Sequence, residues 1–301
     1  MKRFFLMSVL LAARLFAAAA QLDAQNYAFP RNFRDIPGIT QGEIQAIEKA
    51  LAGRESFSFG MMESSECFYQ DDGSLDGYAV SLAQVLSEIF GVPFEVKIYK
   101  WNDLMLGIKD GSIDFSGGFS PEGKTARGLL MTRPIRERSI KFVARAADAT
   151  LLDVAFEGAS SDSLRVAFMT DSSAERLAVP HLRKQYGDKL NVISINDHVK
   201  VADMLRRGEF DMFIADDTWA EIFIGQPDFV VGIFRPQLFK RVAITTNNPQ
   251  FAPIINAINK ILPHGNLQYL YELHRQGRIR FLRKVFINSL SEAERDYYDR
   301  R

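Results

Sequence analysis

The sequence predicts an α/β protein made of open, mostly parallel sheets flanked by helices. Three observations carry that expectation. From about residue 56 onward, short apolar strand-like runs alternate with stretches of helical periodicity. A weak internal repeat pairs "LGIKDGSIDFS" (106–116) with "DMLRRGEFDMF" (203–213), aligning Gly111 with Gly208 and Asp114 with Asp211. Finally, "LRVAFMT" (164–170) begins a fresh strand–loop–helix series after the polar interval "EGASSDS", so the chain reads as two similar lobes.

Taken in order, Lys2 and Arg3 precede an apolar stretch over residues 4–20, and Ala18 and Ala20 stand at the −3 and −1 positions of an export-signal cleavage site. The mature chain is thus expected to be exported to the periplasm, cleaved near Ala20. A polar extension, residues 21–53, contains a capping box at Thr40 and Glu43 and an amphipathic helix that Gly53 ends. Then "SFSFGMM" reads as a buried strand, "YAVSLAQVLSEIFG" as a helix, "PFEVKIYKW" as a strand, "WNDLMLGIKDG" as a helix and "SIDFSGGF" as a strand. In each repeat the glycine ends the helix in the left-handed region and the aspartate opens the next strand. Thirty-seven basic residues balance 37 acidic ones, which argues against a nucleic-acid partner. Cys67 is the only cysteine, so an intrachain disulfide or a cysteine metal cluster is excluded.

Two loops have the composition of ligand sites. In "SGGFSPEGKTARG" (116–128), Gly117 and Gly118 lead into Ser120, Pro121 and Glu122, which read as N-cap, first-position proline and first-turn acid. Lys124 and Arg127 follow. In the second lobe a strand runs into Thr170, Asp171, Ser172 and Ser173, where Ser172 and Glu175 make a capping box. Free N–H groups at such helix starts hold anions. The strand "FDMFIADD" ends in Asp216 and Asp217, where a carboxylate either holds a ligand's amino group or caps a helix starting near Thr218.

The runs Phe57-Ser58-Phe59-Gly60, "DDGSLDGYAVSLAQVL", "GIKDGSIDF", "MTRPIRERSIKFV", "RRGEFDMFIADD", "LFKRVAITTNNPQFAPIINAINKIL" and "SLSEAERDYY" together resemble the type 2 periplasmic solute-binding proteins, amino-acid-binding and family 3-like. They are most similar to the variant that serves as extracellular sensor domain of bacterial histidine kinases and diguanylate cyclases. The resemblance implies a two-lobed Venus-flytrap fold with a two-strand hinge. Lobe 1 would span residues 54–146 plus 240–289, lobe 2 residues 147–239, and a polar C-terminal helix residues 290–301. It also implies a site. Ser120 takes the place of a hydroxyl-bearing threonine, while the carboxylate-gripping arginine falls at Thr125, with Arg127 nearby. Thr170, Ser172 and Ser173 match the donor loop of lobe 2, Asp216 matches the acceptor of an α-amino group, and Phe68 and Tyr69 replace an aromatic wall.

The expected function is therefore closure on a small polar metabolite, an amino acid or related organic acid, by a monomer without cofactor or metal. Its partner would be an ABC permease or a membrane-bound sensor kinase or cyclase. The enzyme alternative is a periplasmic dehydratase of the cyclohexadienyl type, with Glu66 and Asp216 as an acid–base pair across the cleft. His181, His198, His264 and His274 lie in helix or helix-end stretches and read as surface or capping residues. The basic run Arg275, Arg278, Arg280, Arg283 and Lys284 reads as a solvated helix face, with Leu273, Ile279, Leu282 and Phe286 packing inward.

Overall fold

The computed structural model describes residues 29–122, 126–148 and 163–299. The expected export signal, Thr125 and most of the polar interval 157–163 lie outside them. Helix α1 (Gln41–Leu51) is followed by β1 (Phe57–Met61), β2 (Phe68–Tyr69), β3 (Leu75–Asp76), α2 (Tyr78–Phe90), β4 (Phe94–Ile98), α3 (Trp101–Asp110), β5 (Phe115–Phe119) and β6 (Leu130–Met131). Strand β7 (Arg136–Arg145) crosses to a second unit of β8 (Leu164–Met169), α4 (Ser173–Tyr186), β9 (Leu190–Ile195), α5 (Val201–Arg206), β10 (Met212–Asp216), α6 (Asp217–Ala220) and β11 (Phe229–Ile233). Strand β12 (Phe239–Thr246) returns, and α7 (Ala252–Ile261), α8 (Leu267–Ser289) and α9 (Glu292–Asp299) close the chain.

Both units follow one plan. In lobe 1, β4, β1 and β5 are parallel and β12 joins them antiparallel. In lobe 2, β9, β8 and β10 are parallel and β7 joins antiparallel. The two antiparallel strands pair with each other from Val242↔Arg136 to Phe239↔Ser139, which makes the two-strand hinge.

The internal repeat has a physical basis in the hydrogen bonds. Gly111 (φ 82°) and Gly208 (φ 69°) both end their turns in the left-handed region. The aspartate three residues on then accepts from the second residue of the neighbouring strand. Asp114 accepts from Ser58 N at 2.9 Å, and Asp211 from Arg165 N at 2.8 Å. A carboxylate at each strand start thus satisfies a donor that the ladder leaves open.

Apolar layers lie on both faces of each sheet. In lobe 1, α2 and α7 cover one face over a phenylalanine cluster in which Phe57 lies 5.0–5.4 Å from Phe94, Phe115 and Phe251. Leu104 and Ile108 of α3 cover the other face. In lobe 2, Ala178 and Leu182 of α4 lie on one side, and Val201, Leu205 and Trp219 on the other. Helix α1 begins at the expected capping box, and Ile47 buries its inner face in the lobe 1 core.

Two expectations about local structure are corrected. Residues 121–122 form a bend rather than a first helical turn, and the Ser120 hydroxyl closes it by accepting from Glu122 N at 3.3 Å. On α8 the inward stripe is Leu270, His274, Gly277 and Phe281, while Ile279 and Phe286 point outward, each 51% exposed. Close approach decides that orientation. A Cβ on Gly277 would lie 2.5 Å from Tyr78 N, so α8 crosses the start of α2 at backbone contact. The basic run is likewise more than a solvated face. Arg280 binds Asp76 and Ser81, Arg278 binds Glu221, and Lys284 donates to the Tyr69 carbonyl.

Candidate functional site

A cavity of about 70 Å³ lies between the lobes, where the carboxyl ends of β1, β5, β8 and β10 converge. Lobe 1 supplies Met61, Met62, Trp101, Leu104 and Phe119, with Ser64, Gly118 and Ser120 as its small residues. Lobe 2 supplies Asp171, Ser172, Ser173 and Ala174 at the start of α4, and Asp216, Thr218 and Trp219 after β10. The hinge strands add Arg138 and Lys240, which stand opposite each other in the β7–β12 ladder.

Of the residues expected from sequence, Gly118, Ser120, Ser172, Ser173 and Asp216 meet in this cavity. Ser172 accepts from Glu175 N at 3.2 Å, so within the first turn of α4 the N–H groups of Ser173 and Ala174 are the ones without helical partners. Thr170 sits just behind the wall. Its carbonyl accepts from Trp101 Nε1 across the cleft at 3.0 Å, and its hydroxyl donates to Asn196 at 2.6 Å. Arg127 is exposed and does not line the cavity. Phe68 and Tyr69 are elsewhere: Phe68 is buried edge-on against Phe281 at 5.2 Å, and Tyr69 is 45% exposed on the edge hairpin. Packing of that hairpin on α8, invisible in a local reading, draws both rings away. Thr125 lies outside the described residues.

Asp216 lines the cavity with its carboxylate already paired. Lys240 Nζ lies 2.5 Å from Oδ2, Arg138 Nη1 lies 3.7 Å away, and the Thr218 hydroxyl donates to Oδ1 at 2.7 Å. Burial by itself would raise its pKa; Lys240 and Arg138 outweigh that and hold the carboxyl below the usual carboxylate range. Burial pushes Lys240 down, partly opposed by Asp216.

Behind this pair stands Glu66, 1% exposed and held by both Arg136 and Arg138. Alternation along β7 puts those two arginines on one face. The Glu66 position is fixed from the other side, where its carbonyl accepts from Ala79 N at 2.9 Å and leaves no room for a side chain at Gly77. His274 is buried beside Glu66, not on the surface, and burial together with Arg136 and Arg138 lowers its pKa to about 3. His198 is also drawn inward, with its ring 5.2 Å from Trp219. Glu221 extends the network, binding Lys141 at 3.1 Å, Arg278 at 3.0 Å and Ser65 Oγ at 2.9 Å. Sequence reading named Glu66 and Asp216 as a facing pair of acids. Arg138, Lys240 and Trp219 were missed, and their sole sequence signal is the polar i, i+2 spacing of Arg136 and Arg138 within an apolar strand.

The lobes touch across the cleft. Besides Trp101–Thr170, Ser65 N donates to Thr218 O at 2.8 Å, Lys100 lies 3.9 Å from Asp197, and Arg176 of α4 lies 3.5 Å from Glu122. The cavity is therefore a closed cleft.

The fold recurs in known structures. The periplasmic domain of Bordetella pertussis BvgS aligns over 80% of this chain and 46% of its own, with 18% identity and a TM-score of 0.64. The Streptococcus pneumoniae amino acid ABC transporter substrate-binding protein AbpA, bound to L-arginine, aligns over 75% of this chain and 96% of its own, with 15% identity and a TM-score of 0.61. An ancestral amino-acid-binding protein, AncCDT-1, described as a precursor of cyclohexadienyl dehydratase, aligns over 74% and 96%, with 16% identity and a TM-score of 0.59. No curated protein sequence matches the chain. The family profile for bacterial extracellular solute-binding proteins, family 3, matches residues 59–274. With that match across most of its length, and with two lobes joined by two crossing strands, the chain belongs to the family 3 bacterial extracellular solute-binding proteins.

Proposed function

We propose that the protein is exported to the periplasm, with its signal cleaved near Ala20, and closes on a small polar metabolite, an amino acid or related organic acid, between lobe 1 (54–146 plus 240–289) and lobe 2 (147–239). The observation that carries this reading is the closed cavity shared by both lobes, with the α4 N-terminus and Ser120 on opposite walls. Its acids, Glu66 and Asp216, are both held by cations, which supports binding without chemistry over the dehydratase alternative. The closed state would be passed to an ABC permease or to a membrane-bound sensor kinase or cyclase. Similarity to both a transport component and a sensor domain keeps the two readings alive.

Ligand that binds the native state alone stabilises it by about 2.7 kcal/mol at a hundredfold excess over Kd. A thermal-shift screen of amino acids and small organic acids should show such a rise with at least one compound. Ser173→Ala should weaken that response while leaving the ligand-free melting temperature unchanged; Ser120→Ala should weaken it too, with a small loss of melting temperature because its hydroxyl also accepts from Glu122 N. A screen without any shift, together with turnover of a cyclohexadienyl acid, would replace binding by catalysis.

A further inference from the structure

The polar groups facing the cavity are unequally distributed between donors and acceptors. Five buried side-chain atoms have no partner among the described residues: Tyr78 Oη, Arg138 Nε, His198 Nδ1, Asp217 Oδ1 and Trp219 Nε1; of these, the N–H donors of Arg138 and Trp219 belong to residues that line the cavity. Both residues are 5% exposed. A buried N–H left without an acceptor is unfavourable, more so for the charged guanidinium. The other polar elements of the wall have the same sense. Ser172, Ser173 and Ala174 at the start of α4 line it, and Lys240 stands beside Arg138. The charged acceptors are already engaged or exposed. Both oxygens of Asp216 are engaged by Lys240 and Thr218, and Asp171 sits exposed at the mouth. The hinge network has the same bias. Its acids Glu66, Asp216, Asp217 and Glu221 are matched by five bases: Arg136, Arg138, Lys141, Lys240 and Arg278.

Resting on the solute-binding reading above, we infer that the cleft takes a small aliphatic carboxylate and makes no demand for an α-amino group. The carboxylate oxygens accept from Arg138 Nε and Trp219 Nε1, which gives both orphaned donors a charged acceptor. The hydrocarbon part lies against Met61, Leu104, Phe119 and Met169. An ammonium group finds its expected counter-ion, Asp216, already neutralised by Lys240. Size points the same way. The cavity of about 70 Å³ is roughly half the 150 Å³ of an apolar cavity known to hold benzene, so short-chain acids are the first to try.

Matched pairs test the inference: propionate against L-alanine, and 3-methylbutyrate against L-valine, titrated calorimetrically into the whole mature chain. The carboxylate of each pair is expected to bind at least as tightly as its amino acid. Trp219→Phe keeps the ring and removes only the N–H, and should weaken carboxylate binding about tenfold or more. That variant matters because Arg138→Gln also breaks the buried ion cluster and can fail to fold. An amino acid that binds tenfold tighter than its deaminated partner overturns the ligand class but leaves solute binding standing. So does binding confined to larger amino acids. Unchanged carboxylate affinity in Trp219→Phe overturns the seat. A folded protein that binds no small solute removes both this inference and the reading beneath it.

Discussion

The two lobes share one strand–helix plan yet meet the cleft in opposite ways. Lobe 2 presents a helix N-terminus and the polar residues Asp216, Thr218 and Trp219; lobe 1 presents thioether, indole and aliphatic surface broken by small residues such as Ser120. The principal buried carboxylate of lobe 1, Glu66, does not face the cleft as a free group. It is spent on Arg136 and Arg138 of the hinge. Lobe 1 thus braces the hinge and gives the cleft its apolar wall, while lobe 2 and the hinge give it its polar one. A shared scaffold therefore does not imply a shared role, because the loops beyond the strand ends carry the chemistry.

The largest test of that contrast is Glu66→Gln. Removing the one carboxylate that both arginines share leaves them only the longer contacts to Asp217 and Asp216, and about 3–5 kcal/mol of stability should be lost in denaturant unfolding. A loss under 1 kcal/mol would mean that lobe 1 does not brace the hinge through this residue. Next comes Gly277→Ala, which sets a methyl 2.5 Å from the Tyr78 backbone nitrogen. Overpacking of this kind costs about 1–3 kcal/mol, and an unchanged midpoint would show that α8 is not pinned to lobe 1.

A finer comparison uses the repeat itself. Asp114→Ala and Asp211→Ala remove equivalent strand-start acceptors, each worth about 1–2 kcal/mol. Asp114 should cost more, since its side chain is 17% exposed against 30% for Asp211. The reverse order, read from paired urea melts, would show that the lobes do not share this device.

The smallest effect is a pH dependence. The folded pKa of His274 is lowered to about 3 from 6.5 by burial, then by Arg136 and Arg138. Between those values the unfolded chain binds a proton that the folded chain does not, so stability falls as pH falls. From pH 7 to 5.5 the loss should be about 1 kcal/mol. His198, lowered by burial, adds in the same direction. His274→Gln should flatten the slope; an unaltered slope would place the histidine in solvent.

Much of the scaffold was readable because its signals are local. Left-handed glycines, the Thr40 and Ser172 caps and alternating apolar runs each act within a few residues. The Asp114/Asp211 repeat was readable for the same reason. The site was half readable. Ser120 and Ser172 follow strand ends, a topological rule that needs no side-chain packing. The ion cluster joins Glu66 to arginines 70 and 72 positions away, and Asp216 to a lysine on a returning strand. Pairing at such separations is chosen by the sheet register, which no short window contains. The face of α8 was misread because Ile279 and Phe286 outweigh His274 and Gly277 in apolarity, whereas backbone approach at Gly277 decides which side goes inward. The turn at Ser120 imitates a helix cap in residue type, but its hydroxyl accepts from the N–H two residues on, not three.

Helix α8 has a mechanical consequence. With 23 residues it is about 35 Å long. It is bolted to lobe 1 through Arg280 and Asp76, and to lobe 2 through Arg278 and Glu221, with Val285 against Gly225. Any swing of lobe 2 about the hinge must either shear the Arg278–Glu221 bond or carry the helix with it. In the second case the rod acts as a lever, and a few degrees at the hinge become ångströms of travel at α9.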